Sequence, residues 1–217
     1  MAPKIVTGAK VLDIFQPGLL RGAEQMPFDP TRRYFYVEHP TEGWKVYLRS
    51  ACIIHELYKP FVVDRFVIVK RTGGDPEKAS WEPPKGQMEG KDGSDSTKTI
   101  YQLLRENIRR EVAEEAKISN VRDLQHTGLV LQSSEPDYPA NTYFQYHIFT
   151  GWAHPIQLHK AFDRFAWLAE HPGEFRRLRS DQREKDGLGW YNEGTKRLMG
   201  RWSPTLVQLY LDWLSPT

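Results

Sequence analysis

The chain has 217 residues, enough for one substantial core, and its 30 basic against 28 acidic residues leave a net charge of +2. No global basic field therefore draws it to nucleic acid, and any polyanion site has to be local. Its single cysteine, Cys52 within Ala51-Cys52-Ile53-Ile54, excludes an internal disulfide and reads as a small buried hydrophobe. No apolar run approaches the ~20 residues that span a bilayer, and the start of the sequence lacks a signal peptide's apolar core. The expectation is a cytoplasmic protein with no membrane partner.

In chain order, Met1 to about Arg33 reads as an irregular N-terminal extension, punctuated by Pro17, Pro27 and Pro30, ahead of a domain covering 34–217. Tyr34-Phe35-Tyr36-Val37, Trp44 to Glu56 and Arg65 to Arg71 read as strands, and Thr72-Gly73-Gly74-Asp75-Pro76 as the loop after the third. A polar loop with Asp92, Ser94, Asp95 and Ser96 precedes a helix that starts at Thr99, with Gln102 three positions on as its capping-box partner. Along that helix Tyr101, Leu104, Ile108, Val112 and Ala116 recur at the helical period and predict an apolar stripe. Gly128 to Gln132 and Tyr143 to Trp152 read as strands, joined by a loop with Pro136, Pro139 and Asn141. Phe162 to Glu170 and Pro204 to Leu214 read as helices, the second with Ser203 as N-cap. This order predicts an α/β fold, an α/β/α sandwich around a mixed sheet with extra C-terminal helices. The seven histidines are scattered without metal-ligand spacing, and His55, His126 and His147 read as hydrogen-bonded sheet residues.

Chemistry concentrates on the first helix. Glu111, Glu114 and Glu115 stand at i, i+3 and i+4, so three carboxylates share one face. Like charges that close repel unless a cation balances them, and hard oxygen ligands at that spacing suit Mg²⁺ or Mn²⁺, which bridge readily to phosphates. The competing reading is a solvated amphipathic helix.

The run Arg109-Arg110-Glu111-Val112-Ala113-Glu114-Glu115-Ala116-Lys117-Ile118 resembles the second half of the Nudix hydrolase signature, Arg-Glu-U-x-Glu-Glu-x-Gly-U with U aliphatic, except that Lys117 replaces the late Gly. Upstream, Trp81, Pro84, Lys85 and Gly86 resemble the Trp-x-x-Pro-Lys-Gly segment of Nudix enzymes acting on dinucleoside polyphosphates and mRNA caps. After five intervening residues, Gly86 is followed by Asp92 where the family has Glu, and seventeen residues, not seven, separate Asp92 from Arg110. The loop therefore carries an insertion of ten residues, and either Glu89 or Asp92 is in register to pair with Arg110.

The resemblance implies water attack on a phosphorus of a diphosphate-linked nucleotide. Glu111, Glu114 and Glu115, with Glu89, would hold Mg²⁺ or Mn²⁺, and Lys85, Gly86, Trp81 and Arg71 would meet the substrate. Arg110 is adjacent to Glu111, so it is expected off that face, bridging to the loop at Glu89 or Asp92. Glu184 and Asp186, just before Gly187-Leu188-Gly189-Trp190, resemble the family's downstream general base. Arg176, Arg177, Arg179 and Arg183 form a basic run that reads either as a phosphate or RNA contact or as a solvated helix face. Two functions follow. One is a Mg²⁺- or Mn²⁺-dependent pyrophosphohydrolase, acting on a nucleotide such as a dinucleoside polyphosphate or, by decapping, on capped RNA. The other is a protein of the same fold that binds nucleotide or RNA without turnover, suggested by the altered spacing and Lys117.

Overall fold

The computed structural model describes residues 10–27, 29–194 and 196–215. The strands are β1 (Leu20–Met26), β2 (Asp29–Glu38), β3 (Lys45–Glu56), β4 (Val67–Arg71), β5 (Ala79–Glu82), β6 (Lys85–Gln87), β7 (Val121–Ser134), β8 (Thr142–Ala153), β9 (Lys185–Trp190) and β10 (Arg197–Leu198). The helices are α1 (Ile100–Glu115), α2 (Pro155–Glu170), α3 (Pro172–Arg177) and α4 (Ser203–Leu214), with a 3-10 turn at Asp181–Arg183. One sheet has the order β1-β2-β3-β8-β7 with β6 also beside β3, and the other has the order β10-β5-β4-β9. The second sheet is mixed, since β10 and β5 run parallel while β4 is antiparallel to both β5 and β9. The fold is α/β, as the element order predicts, and no helix among the described residues is long and apolar enough to cross a membrane.

The stretch before Tyr34, expected to be irregular, instead carries β1 and the first half of β2, paired antiparallel from Leu20↔Glu38 to Gln25↔Arg33. The prolines that suggested irregularity sit where a missing N–H is tolerated. Pro17 and Pro27 lie outside the strands, and Pro30 falls where the register shifts between Gln25 and Met26. Residues 1–9 of the expected extension lie outside the described residues.

The chain divides into two compact units, Met1–Ser50 with Gly86–Asn107 and Gly128–His147, and Ala51–Lys85 with Ile108–Thr127 and Ile148–Thr217. In the first, Met26, Tyr34, Tyr47 and Phe144 form an aromatic cluster, with Tyr47 stacked on Phe144 at 5.3 Å. In the second, the buried run Phe66 to Val69 forms the middle of its sheet, and α2 buries Leu158, Ala161, Phe165 and Leu168. Helix α2 begins earlier than the apolar spacing predicts because His154 caps it, its Nδ1 accepting from the Ile156 N–H at 3.1 Å, with Pro155 at the first helical position.

Helix α1 starts as its sequence demands. The Thr99 N–H donates to the Gln102 side chain at 2.8 Å, and the Gln102 N–H donates to the Thr99 hydroxyl at 3.2 Å, which satisfies two orphan donors reciprocally. The buried face runs through Ile100, Leu103, Leu104, Asn107, Ile108, Val112, Glu115 and Ala116, so Tyr101, placed on the stripe by periodicity, is instead 38% exposed. Two polar groups on this face need partners. Asn107 accepts from the Ser50 hydroxyl at 2.5 Å, and Glu115 is met by the charges described below. Loss of the cap in Thr99→Ala is expected to lower stability by about 1 kcal/mol, measured as a shift in the urea midpoint with an unchanged slope.

Candidate active site

The site grows from the short segment Trp81-Glu82-Pro83-Pro84-Lys85. Glu82 ends β5 and Lys85 begins β6; two prolines with fixed φ between them hold the bend. The Lys85 ammonium turns back onto Glu82 at 2.9 Å, and its backbone N–H donates to Glu115 at the end of α1, also at 2.9 Å. From β9, Lys185 pairs with Glu115 at 2.9 Å and with Glu82 at closer range. The Ser203 hydroxyl, at the start of α4, donates to the second Glu82 oxygen at 3.3 Å. Ser203 was expected as the N-cap of that helix, but Trp202 holds the cap position and the hydroxyl turns inward to the carboxylate. Glu82, Glu115 and Lys185 are 4%, 3% and 6% exposed, so this is a buried cluster of two carboxylates and two ammonium groups.

Burial alone would raise the Glu82 pKa, but Lys85 and Lys185 outweigh it and hold the carboxyl at about 2. For Glu115 burial wins, and its pKa is raised despite Lys185, with Glu82 pushing the same way. Lys185 is raised as well, because two carboxylates more than offset its desolvation. The two carboxylates share one lysine yet move in opposite directions. The asymmetry is physical, since burial dominates at Glu115, whereas both ammonium groups pair directly with Glu82.

Farther from the core, Arg110 pairs with both Glu111 and Glu114 at 2.9 Å, and the exposed Arg179 reaches Glu114 at 3.4 Å. Arg110 was expected off the face of its neighbour Glu111, bridging to the loop at Glu89 or Asp92. The length of the arginine side chain overturns that, because a planar fork with five donors serves two carboxylates at once. A cavity of about 460 Å³ opens over the cluster, lined by Arg71, Thr72, Glu82, Lys85, Glu115, Glu184, Lys185 and Met199. Its charges balance, with Arg71, Lys85 and Lys185 facing Glu82, Glu115 and Glu184.

Of the residues singled out in the sequence, Arg71, Lys85, Glu115 and Glu184 meet at this cavity. Glu111 and Glu114 do not line it; they stand with Arg110. Trp81 does not line it either. Its ring is buried in β5, its indole N–H donates to the Pro76 carbonyl at 2.9 Å, and it lies so near Gly189 that a Cβ there would meet the ring at 3.2 Å. Gly86 follows Lys85 in β6. Glu89 belongs to the other unit, where it pairs with Arg32 at 3.3 Å and Lys91 at 3.0 Å and its N–H donates to Asp92 at 2.7 Å. Asp186 is occupied by Lys70 at 2.6 Å and by the Gly73 N–H at 2.9 Å, so it anchors the loop after β4, while the exposed Glu184 faces the cavity. In the arginine run, Arg177 pairs with Glu174 and Arg179 with Asp181, both at 2.5 Å.

Sequence reasoning missed Glu82, Lys185 and Ser203. The first two had a faint signal, because Glu82 sits inside the Trp-x-x-Pro-Lys-Gly segment and Lys185 between the two acids taken as candidate bases. The carboxylates of α1 have the hard-oxygen chemistry that Mg²⁺ or Mn²⁺ takes. In this arrangement Arg110, Arg179 and Lys185 neutralise them, and no three His, Cys, Asp or Glu side chains among the described residues are gathered as a metal cluster.

No family model matches the chain, and no curated protein matches it. Solved structures that it resembles include a NUDIX hydrolase from Nitrosomonas europaea, at 14% identity over 79% of this chain and 97% of that one with a TM-score of 0.41. The NUDIX domain of Shewanella oneidensis NrtR, complexed with ADP ribose, matches at 10% identity over 82% of this chain and 94% of that one, TM-score 0.44. A mutT/nudix family protein from Listeria innocua matches at 18% identity over 77% and 91%, TM-score 0.38. Likeness at this level says nothing about what this chain binds.

The charge cluster has a pH signature. Glu82 titrates at about 2 in the folded chain, below its unfolded value, so its stabilising contribution is complete above the unfolded carboxyl pKa and is lost as pH falls from there through about 2. Stability measured by denaturant titration between neutral pH and pH 2 should fall over that window. Glu82→Gln should flatten the fall and cost about 3–5 kcal/mol at neutral pH, as expected when one partner of a buried ion pair is removed.

Proposed function

We propose that this chain is a Nudix hydrolase that cleaves a phosphoric anhydride in a nucleotide-type substrate with Mg²⁺ or Mn²⁺. One observation carries the reading. The two segments that resemble the family signature lie thirty residues apart, and they meet at one cavity through the Lys85 N–H and the Glu115 carboxylate. Glu111, Glu114 and Glu115 would hold the metal. When bound, a divalent ion neutralises phosphate charge and lowers the pKa of coordinated water.

The chain's own groups do the rest. Lys85 and Arg71 bind and orient the diphosphate from the cavity wall. Arg110 holds Glu111 and Glu114 in place. Glu184 takes the proton of the water that attacks phosphorus, as the P–O bond of the anhydride breaks and the leaving phosphate departs with the electron pair. Buried Glu82 and Lys185 set the position of Lys85 and Glu115.

Binding without turnover is the second reading, favoured by the protein cation already facing each α1 carboxylate. A product-resolved screen of nucleoside triphosphates, dinucleoside polyphosphates, nucleotide sugars, diphosphoinositol phosphates and capped RNA with either metal separates the two. Hydrolysis is expected, and tight binding of a nucleotide with no product would establish the second reading. Within the first, Glu114→Gln and Glu115→Gln should each lower kcat by several orders of magnitude while circular dichroism shows the fold retained, since lost charge stabilisation at the reacting centre is worth several kcal/mol. Wild-type turnover in both variants would remove the helix from the chemistry.

Among the finer substrate choices, a capped RNA end needs contacts beyond the cap. Arg176 and Arg183 are the candidates, because Arg177 and Arg179 already serve acidic neighbours. Reversing both to Glu should weaken capped RNA and reduce its salt dependence by about 0.7 in log–log slope for each phosphate no longer neutralised, leaving KM for a dinucleotide cap analogue unchanged. Equal effects on the two substrates would exclude an RNA strand from this face.

A further inference from the structure

We propose that Lys117 is a positioning residue that latches the segment carrying Glu184 to the end of helix α1. Lys117 stands just past the helix, at the position where a chain commonly turns left-handed, and its φ is +59°. Glycine adopts that conformation without the Cβ crowding that disfavours it for other residues. A lysine there is locally unfavourable, and its side chain shows what offsets this. The ammonium donates to the Glu114 carbonyl at 2.5 Å and to the Gln182 carbonyl at 2.7 Å. The first bond satisfies an orphan carbonyl of the last turn and sets a cation at the negative end of the helix. The second crosses sixty-five positions of sequence to the 3-10 turn, two residues before Glu184.

The segment is stitched from other directions too. Arg179 reaches Glu114 at 3.4 Å, the Thr72 N–H donates to the Glu184 carbonyl at 3.0 Å, and the Thr72 hydroxyl donates to the Arg183 carbonyl. Lys117 differs from these in gripping the backbone of the segment directly from the helix that carries Glu114 and Glu115. It thereby fixes the distance between the α1 carboxylates and Glu184. The benefit to catalysis rests on the proposed hydrolase reading; the latch itself does not.

Lys117→Gly is the discriminating variant, because it relieves the left-handed backbone while deleting both side-chain bonds. Amides of 179–186 should exchange hydrogen for deuterium about tenfold faster or more, with α1 amides unchanged. With a substrate found, kcat should fall about tenfold with KM nearly constant, and Lys117→Arg, which keeps a long cationic donor, should restore most of both. Wild-type exchange in that segment would overturn the latch. Faster exchange in a protein whose wild type hydrolyses nothing would leave the latch standing and count against the hydrolase reading instead.

Discussion

Glu82, Lys185, Glu115 and Lys85 form a closed ring inside the protein, three ion pairs and one hydrogen bond from the Lys85 amide, and the arrangement around them depends on that ring closing. Moving any one of these ions out of water costs several kcal/mol, recovered only when geometry and hydrogen bonds are good. Here the requirement is met from five elements at once: the end of β5, the start of β6, the last residue of α1, the first of β9 and the first of α4. Because each partner comes from a different element, the ring tolerates little displacement of any of them. The same side chains form the floor of the cavity, so what stabilises this part of the fold also shapes the site.

The three glutamates of α1 look equivalent as spacing on a helical face, yet they stand in two environments. Glu115 lies in the buried ring, with its pKa raised by desolvation, while Glu111 and Glu114 sit farther out under one guanidinium. In the proposed chemistry the outer pair is easier to redirect toward an added cation, since Arg110 and Arg179 retain solvent access. Glu115 is held from both sides by groups that also carry the fold.

Local signals were legible in the sequence wherever a short stretch decides its own structure. Thr99 and Gln102 announced the start of α1, and the stretch Trp44 to Glu56 read as the strand that is β3 from Lys45 onward. Where distant residues decide, the sequence was silent. Nothing near Lys185 shows that its ammonium is buried, because its partners lie 103 and 70 positions away; next to Glu184 and Asp186 it reads as one charge among several. Ser203 carried a correct local signal for a helix start, but Glu82 competes for the same hydroxyl and wins. The prolines before Tyr34 spoke against strands because composition does not reveal a register shift. Arg110 was misjudged by treating adjacent residues as facing apart, a rule that holds for Cβ directions and fails for a side chain as long as arginine. Glu184 and Asp186 were indistinguishable until Lys70 and Gly73 were seen to occupy one of them.

The bond from Ser203 to Glu82 spans 121 positions, and this sets an order of events during biosynthesis. As the chain emerges, Glu82 is made long before Lys185 and Ser203, so β5 cannot bury its terminal carboxylate at that stage without leaving it short of partners. The segment has to remain hydrated while the middle of the chain accumulates, and contacts this far apart in sequence close slowly. Nascent chains that stop short of α4 would hold Glu82 without its Ser203 partner, and incomplete chains are open to chaperones or to aggregation.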